Sequence, residues 1–329
     1  MEQLNRIPKA PPYIAPRPPV PLRDSYPLWS VMIPVYNCAT YLGKTLESVL
    51  CQDPGKDKMQ IEVCDDASTD DDVEKIVRDI GKGRVTYFRQ SHNVGHLRNF
   101  VTCLNRSRGD WVHLLHGDDK VYPGFYNKME NLFFHFPEAG AAFCRYKVID
   151  EYDGNSWTSD EEMDKAGILD DWLMKLACEQ RIVTPSMVVK RIVYEELGGF
   201  YGVHHCEDWE MWLRIASHFK TGFVPNVLAE YLLREGSNSS QSFLKGQDIK
   251  DIHWLIKSTK KYFTEADWKK IQMKARYAYA HSAVKNANKI WDRYHHRRGV
   301  RNQLVGALRL FPGRSVLFPV IKLYFKTLF

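Results

Sequence analysis

Three acidic pairs carry the residue types from which chemistry could be built. Asp118-Asp119 follow a short apolar run, Trp111 to Leu115, by way of His116 and Gly117; Asp65-Asp66 close a second run, Gln60 to Cys64; Glu207-Asp208 open an amphipathic stretch. In an open α/β sheet, ligands bind outside the carboxyl ends of the strands. Carboxylates there are hard oxygen ligands of the kind Mg²⁺ or Mn²⁺ shares with phosphate oxygens. One such pair reads as a solvated loop. Two on the same rim form an anionic pocket that needs a cation or donor groups to be tolerable. The basic residues nearest in sequence are Arg89, His92, Arg98 and Lys120. Glu207 and Asp208 would sit at a helix N-terminus, which favours negative charge whether the pair caps the helix or does chemistry.

The elements that must position these residues follow from periodicity. Ser30 to Ile33 is an apolar strand ended by Pro34, and Leu42, Leu46, Val49 and Leu50 fall at helical spacing after it. A second strand, Gln60 to Cys64, leads to a helix through Ile80 that Ser68 and Asp71 would start as a capping pair. Arg84 to Arg89 reads as a third strand, Leu97 to Arg106 as a helix, Trp111 to Leu115 as the fourth strand, and Pro123 to Phe136 as a helix. Strand and helix alternate, which predicts an α/β fold with a mostly parallel, doubly wound sheet. Farther on, Ala141 to Val148 is a strand, the acidic stretch Asp150 to Lys165 a mobile surface loop, and Ile182 to Val189 a strand interrupted at Pro185. No GxGxxG follows the first strand, which argues against a dehydrogenase.

Composition narrows the class. The chain has 329 residues, 44% hydrophobic and 26% charged, ordinary for a globular protein. Its seven cysteines contain no CxxC pair, which argues against a disulfide framework or a structural zinc site and suits a reducing compartment. His204-His205 beside Cys206 likewise lacks zinc-site spacing. No run reaches the ~20 apolar residues of a membrane span, and the proline-rich start lacks a signal-peptide core, so a cytoplasmic location is expected. Of the net charge of +6, eight Lys or Arg and no acid lie from Arg293 to Phe329. The expected organisation is a proline-rich arm over residues 1–28, a catalytic domain over 29–245, and a helical extension over 246–329 that ends in a basic amphipathic tail.

Five segments in order resemble glycosyltransferase family 2. Ser30 to Asn37 is similar to that family's opening strand and turn, and Val63 to Asp70 to its nucleotide-binding VDDGSTD. Asn93-Val94-Gly95 with Arg98-Asn99 is similar to NxGxxxARN, Leu115 to Asp119 to LDADD, and Cys206 to Arg214 to EDxDLWLR. The resemblance implies a GT-A fold and inverting transfer of a sugar from a nucleotide-diphosphate donor, a UDP-sugar being the first choice. It implies that Pro34, Tyr36, Asp65 and Asp66 line the nucleoside pocket, that Arg98 lies near the diphosphate, that Gly117 belongs to the nucleotide-sugar site, and that Asp118 ligates Mg²⁺ or Mn²⁺ with Asp119 in support. Asp208 matches the family's base, with Glu207 beside it. His116 stands where the family usually keeps the first DxD aspartate; an imidazole can take its place as a metal ligand. Tyr231 to Ser240 is similar to the closing YRxHxxNSS segment without its His, and Arg234 stands nearby.

The implied partners are a nucleotide-sugar donor and a glycan or lipid-linked acceptor. The tail, residues 293–329, reads either as helices docked on the protein or as an amphipathic anchor on an anionic membrane, which would place the enzyme at the inner face of the cell membrane. It is too apolar, and too poor in recognition motifs, for nucleic acid. Rival readings are a nucleotidyltransferase on sugar phosphates, which would open with a glycine-rich loop absent here, a receiver-like Mg²⁺ module, for which the chain is too long, and a catalytically silent nucleotide-sugar-binding relative.

Overall fold

Strand β1 (Trp29–Val35) is buried along its whole length, and so is β2 (Met59–Asp65). Burial from end to end belongs to interior parallel strands covered on both faces, and in β2 it takes in Gln60, Glu62 and Asp65 as well as the apolar positions. In the computed structural model, which describes residues 6–17 and 26–327, these strands alternate with α1 (Ala39–Leu50) and α2 (Val73–Gly81), and continue through β3 (Thr86–Arg89), α3 (His96–Arg106) and β4 (Trp111–Leu114). β1 pairs in parallel with β2 and β4, and β2 with β3. The chain then runs through β5 (Lys120–Val121), α4 (Phe125–His135), β6 (Ala139–Asp150), β7 (Ser156–Thr158), β8 (Gly167–Ile168) and α5 (Trp172–Cys178), to β9 (Met187–Lys190), α6 (Arg191–Leu197), α7 (Glu207–Ala216) and β10 (Lys220–Leu233). The sheet order is β3-β2-β1-β4-β9-β6-β10-β5, with β7 on β6 and β8 on β10. Pairings β4–β9, β9–β6 and β10–β5 are antiparallel. Because the chain leaves β1 first toward β3 and then returns to lay β4 on the other side, the crevice between the ends of β1 and β4 is a topological switch point, where such sheets bind ligands.

Several local expectations change. α2 starts at Val73 rather than behind Ser68: its N-cap is Asp72, whose carboxylate accepts the Lys75 N–H at 2.9 Å. β3 starts at Thr86 because Arg84 lies in a turn, its N–H on the Gly81 carbonyl and its guanidinium on Asp53 at 2.6 and 2.7 Å. Pro185 lies in a 3-10 turn, Thr184–Ser186, and β9 begins only after it. The acidic stretch after Asp150 is no loose loop. β7 pairs with β6, Arg181 binds Glu162 and Asp160 at 2.5 and 2.7 Å, and Arg145 binds Glu161 at 3.2 Å. The described part of the proline-rich arm packs down: Ile14 is fully buried, and the Pro8 and Pro12 carbonyls accept the Gly202 and Gly199 N–H groups. Residues 1–5 and 18–25 of that arm lie outside the described residues.

The chain divides into two compact units. One comprises Met1–Asp170, Arg181–Gly202 and Arg214–Leu232, and so holds most of the sheet. Its core joins β1, β2, α1 and α4, with Trp29 edge-on to Trp111 and Tyr126 at 5.1 Å. The other comprises Asp171–Gln180, Val203–Leu213 and Leu233–Phe329. It contains α8 (Asn238–Lys245), α9 (Gln247–Ser258), α10 (Glu265–Tyr294), α11 (Arg297–Leu310) and α12 (Arg314–Lys326). Thr264 caps α10 by accepting the Asp267 N–H. Buried Ala280, Ala283 and Ala287 keep α10 thin enough for close helix packing, and with Leu304, Ala307 and Leu310 they build this unit's core. No helix among the described residues is long and apolar enough to cross a membrane.

One buried polar link in the helical unit makes stability depend on pH. Asp248 is almost fully buried, both its oxygens accept from Gln303 Nε2 at 2.8 and 3.0 Å, and burial pushes its pKa up to about 7. The folded state therefore holds a proton that the unfolded chain releases in acid, so this stability is present at low pH and is lost as pH rises through about 7. Asp248→Asn keeps an acceptor for Gln303 without the charge. It should raise Tm at about pH 8 by several degrees and change it little at about pH 4, as calorimetry at the two pH values would show.

Candidate active site

The loops after β1 and β2 are stitched to each other by side chains. Ser68 Oγ accepts the Asn37 N–H at 3.0 Å, Asn37 Oδ1 accepts the Thr69 N–H at 2.9 Å, and Asp70 accepts the Ala39 N–H, the first of α1, at 2.9 Å. Asn37 and Ala67 both adopt left-handed backbone conformations, φ 48° and 60°, which such cross-links hold in place. Ser68 is thus a site residue, and its use here explains why it does not cap α2.

Asp65 and Asp66 are both buried, and each is surrounded by donors. Asp65 accepts the Ser68 N–H at 2.9 Å and the Tyr87 hydroxyl at 2.8 Å, and pairs with Arg89. Arg89 also reaches the Ser68 carbonyl at 2.8 Å. Asp66 accepts the Val94 and Gly95 N–H groups at 2.7 and 2.9 Å. Burial raises its pKa, and those two N–H groups oppose the rise. Asn99, from the same segment, is buried and donates to the Cys64 carbonyl at 2.8 Å. The turn Asn93 to Gly95 is therefore built around Asp66. Arg98 is half-buried in α3, Pro34 lies within buried β1, and Tyr36 stands 48% exposed just past its end.

The loop after β4 is fixed from beneath. Buried Thr45 of α1 donates to the Gly117 and Asp119 carbonyls at 3.0 and 2.8 Å, and the Gly117 N–H reaches the Pro34 carbonyl at 3.2 Å. His116 stacks on Phe100 with ring centroids 5.3 Å apart. Its Nδ1 lies 3.5 Å from Asp119 Oδ2, while Asp119 Oδ1 accepts the Leu232 N–H at 3.0 Å. Burial raises the Asp119 pKa to about 6, opposed by His116. One donor atom from each of His116, Asp118 and Asp119 lies within 4.8 Å of the others, as a shared cation would need. One imidazole and two carboxylates form a mixed set that suits Mn²⁺ and tolerates Mg²⁺. A Cβ on Gly117 would fall 2.8 Å from Val35 Cγ2 and 2.9 Å from Cys38 Sγ. Gly117→Ala must displace this loop or β1, so we expect a loss of about 1–3 kcal/mol in denaturant unfolding. A change inside about 0.5 kcal/mol would show that the loop yields freely.

In the helical unit, Glu207 and Asp208 open α7. Asp208 Oδ2 accepts from Gln180 Nε2 at 2.7 Å and Oδ1 from the Trp209 N–H at 2.8 Å. Gln180 is itself held, its backbone N–H donating to the Tyr279 hydroxyl at 3.0 Å. Trp209 lies 5.1 Å from the Tyr279 ring and donates to the Leu176 carbonyl at 2.8 Å. The preceding turn is anchored by Asp251, which accepts the His204 and His205 N–H groups at 3.1 and 2.9 Å. The ring of half-buried His205 sits edge-on to Phe243 at 5.3 Å. Gln180, Tyr279 and Thr45 carry no motif of their own; only folding shows what they hold.

The profile of Glycosyl transferase family 2 matches residues 30–197. An uncharacterized protein of Mycobacterium tuberculosis is 28% identical over 256 residues, 72% of this chain and 78% of its own. An uncharacterized glycosyltransferase of Mycoplasma genitalium is 32% identical over 120 residues, 36% of this chain and 40% of its own. Among solved structures, S. aureus TarS in complex with UDP-GlcNAc superposes with TM-score 0.66 at 16% identity, over 86% of this chain and 81% of that one. The mannosyltransferase PcManGT from Pyrobaculum calidifontis, in complex with GDP-Man and Mn²⁺, superposes with TM-score 0.57 at 18% identity, over 94% and 91%. These likenesses set the fold as GT-A. With the profile covering more than half of the chain, the protein belongs to glycosyltransferase family 2.

Proposed function

We propose that this glycosyltransferase moves a sugar, with inversion, from a nucleotide-diphosphate sugar, a UDP-sugar foremost, to a hydroxyl of a glycan or lipid-linked acceptor. The observation that carries this reading is the His116, Asp118 and Asp119 cluster at the end of β4, the strand across the switch point from β1. Tyr36, exposed past β1, offers a ring for a base to stack on, with Pro34 behind it and Asp65 and Asp66 shaping the pocket floor. Arg98 and the Gly117 backbone serve the diphosphate. Asp118 and His116 would hold Mn²⁺ or Mg²⁺ with Asp119 beside them, and the ion would neutralise charge developing on the leaving diphosphate.

Asp208 is the proposed base, and Glu207 the second carboxylate at the same helix start. It takes the proton of the acceptor hydroxyl as that oxygen bonds the anomeric carbon, and the bond to the diphosphate breaks with its electron pair. The Gln180 hydrogen bond orients the carboxylate without protonating it. We assign this chemistry to residues 29–245. A lipid-linked acceptor would be met at the inner face of the cell membrane by a cytoplasmic, peripheral enzyme, with residues 246–329 as its extension.

Three measurements test this. Turnover of UDP- and GDP-sugars with Mn²⁺ should single out a donor, and absence of both binding and turnover across the panel would overturn the reading. Asp208→Asn should lower kcat by about 100-fold or more while donor affinity holds. Asp118→Ala should weaken Mn²⁺ binding at least about tenfold, and wild-type affinity should climb as pH rises through about 6, where Asp119 loses its proton. Calorimetric titration at several pH values reads both.

A further inference from the structure

Helix α12 is apolar on two sides. Val316, Val320 and Leu323 are buried in the core that α10 and α11 share. At 100° per residue, Phe318, Ile321 and Phe325 form a stripe on the opposite side, flanked by Leu317 and Tyr324. These five are left exposed, at 68%, 43%, 57%, 38% and 54%. Single exposed apolar residues are ordinary, but five on one stripe of a 13-residue helix make a patch that implies a partner.

Charge selects the partner. Exposed Arg314 and Lys322 border the stripe, and exposed Arg297, Arg298, Arg301 and Arg309 lie on the preceding helix. Residues 293–329 contain no Asp or Glu, and Asp292, just before them, is taken up by Lys326 at 2.8 Å. A two-fold contact between copies would set this basic surface against itself. A surface that is anionic outside and apolar just beneath matches both features. We infer that α12 lies in the interface of an anionic lipid bilayer, with Phe318, Ile321 and Phe325 entering the acyl boundary and the basic residues meeting lipid phosphates. The helix is too short to span and is suited to lying flat. The inference does not depend on the transfer chemistry, because binding to a membrane needs neither donor nor acceptor.

The test is sedimentation of the full chain with vesicles of phosphatidylcholine alone or with phosphatidylglycerol. We expect at least about tenfold stronger partitioning to the anionic vesicles, reduced by raised salt. The triple variant Phe318→Ser, Ile321→Ser, Phe325→Ser should lose about tenfold or more of that binding with an unchanged melting curve, since the three side chains lie outside the core. Replacing Arg314 and Lys322 by Gln should weaken anionic binding and leave any neutral-vesicle binding as it was. Equal partitioning to both vesicle types, or none, overturns the inference. So does a dimer in light scattering that the triple variant abolishes, because the face would then belong to a second copy.

Discussion

Two carboxylates placed side by side out of water constrain most of the strand-end rim of this enzyme. Asp65 and Asp66 end β2 with almost no solvent contact, and a buried carboxylate left without partners costs several kcal/mol. The fold answers with donors from four directions: the Ser68 amide, the Tyr87 hydroxyl, the Arg89 guanidinium, and the Val94 and Gly95 amides. Each fixes a piece of chain. The loop after β2 closes over Asp65, β3 ends where Arg89 can reach it, and the turn into α3 wraps Asp66. Through Ser68 and Asn37 the same network locks the loop after β1. The backbone at the rim is thereby set before any ligand arrives, which is what a site relying on position needs.

The neighbouring corner shows how the fold accommodates His116. The imidazole is stacked on Phe100 and aimed at Asp119, so that a residue lacking the usual carboxylate still presents a donor atom to the cluster. Asp119 has one oxygen committed to the Leu232 amide and the other facing His116. A metal ion held there, as proposed, would meet a nitrogen and carboxylates together. Such a set leans toward the softer of the two candidate ions and couples its occupancy to pH.

In the helical unit the carboxylate of Asp208 is held by second-rank contacts. Gln180 orients it, Tyr279 of α10 holds Gln180, and Trp209 packs on Tyr279. The extension after β10 therefore helps to hold the residue proposed as base, and it also carries the exposed face of α12. α12 leaves five large apolar side chains exposed on the side turned away from its core, against Met273 and Tyr277 on the longer α10 and Val305 on α11.

Strand and helix order, the acidic pairs at strand ends, the helix start at Glu207 and the family resemblance were all legible in the 329 residues, because hydrophobic period and motif spacing are local properties of a chain. Other features depended on partners remote in sequence. Ser68 has the spacing of a helix cap, yet a loop some thirty residues earlier claims its hydroxyl, and the cap passes to Asp72. The acidic stretch after Asp150 looks solvated until Arg181 and Arg145 are folded against it. Gln180, Tyr279 and Thr45 gain their roles only from what packs beside them. The sequence by itself determined which elements form and which residues could do chemistry; the tertiary structure alone decided which carboxylates are neutralised, by which donors, and which apolar face stays uncovered, since burial and hydrogen bonding between distant segments exist only once the chain has folded.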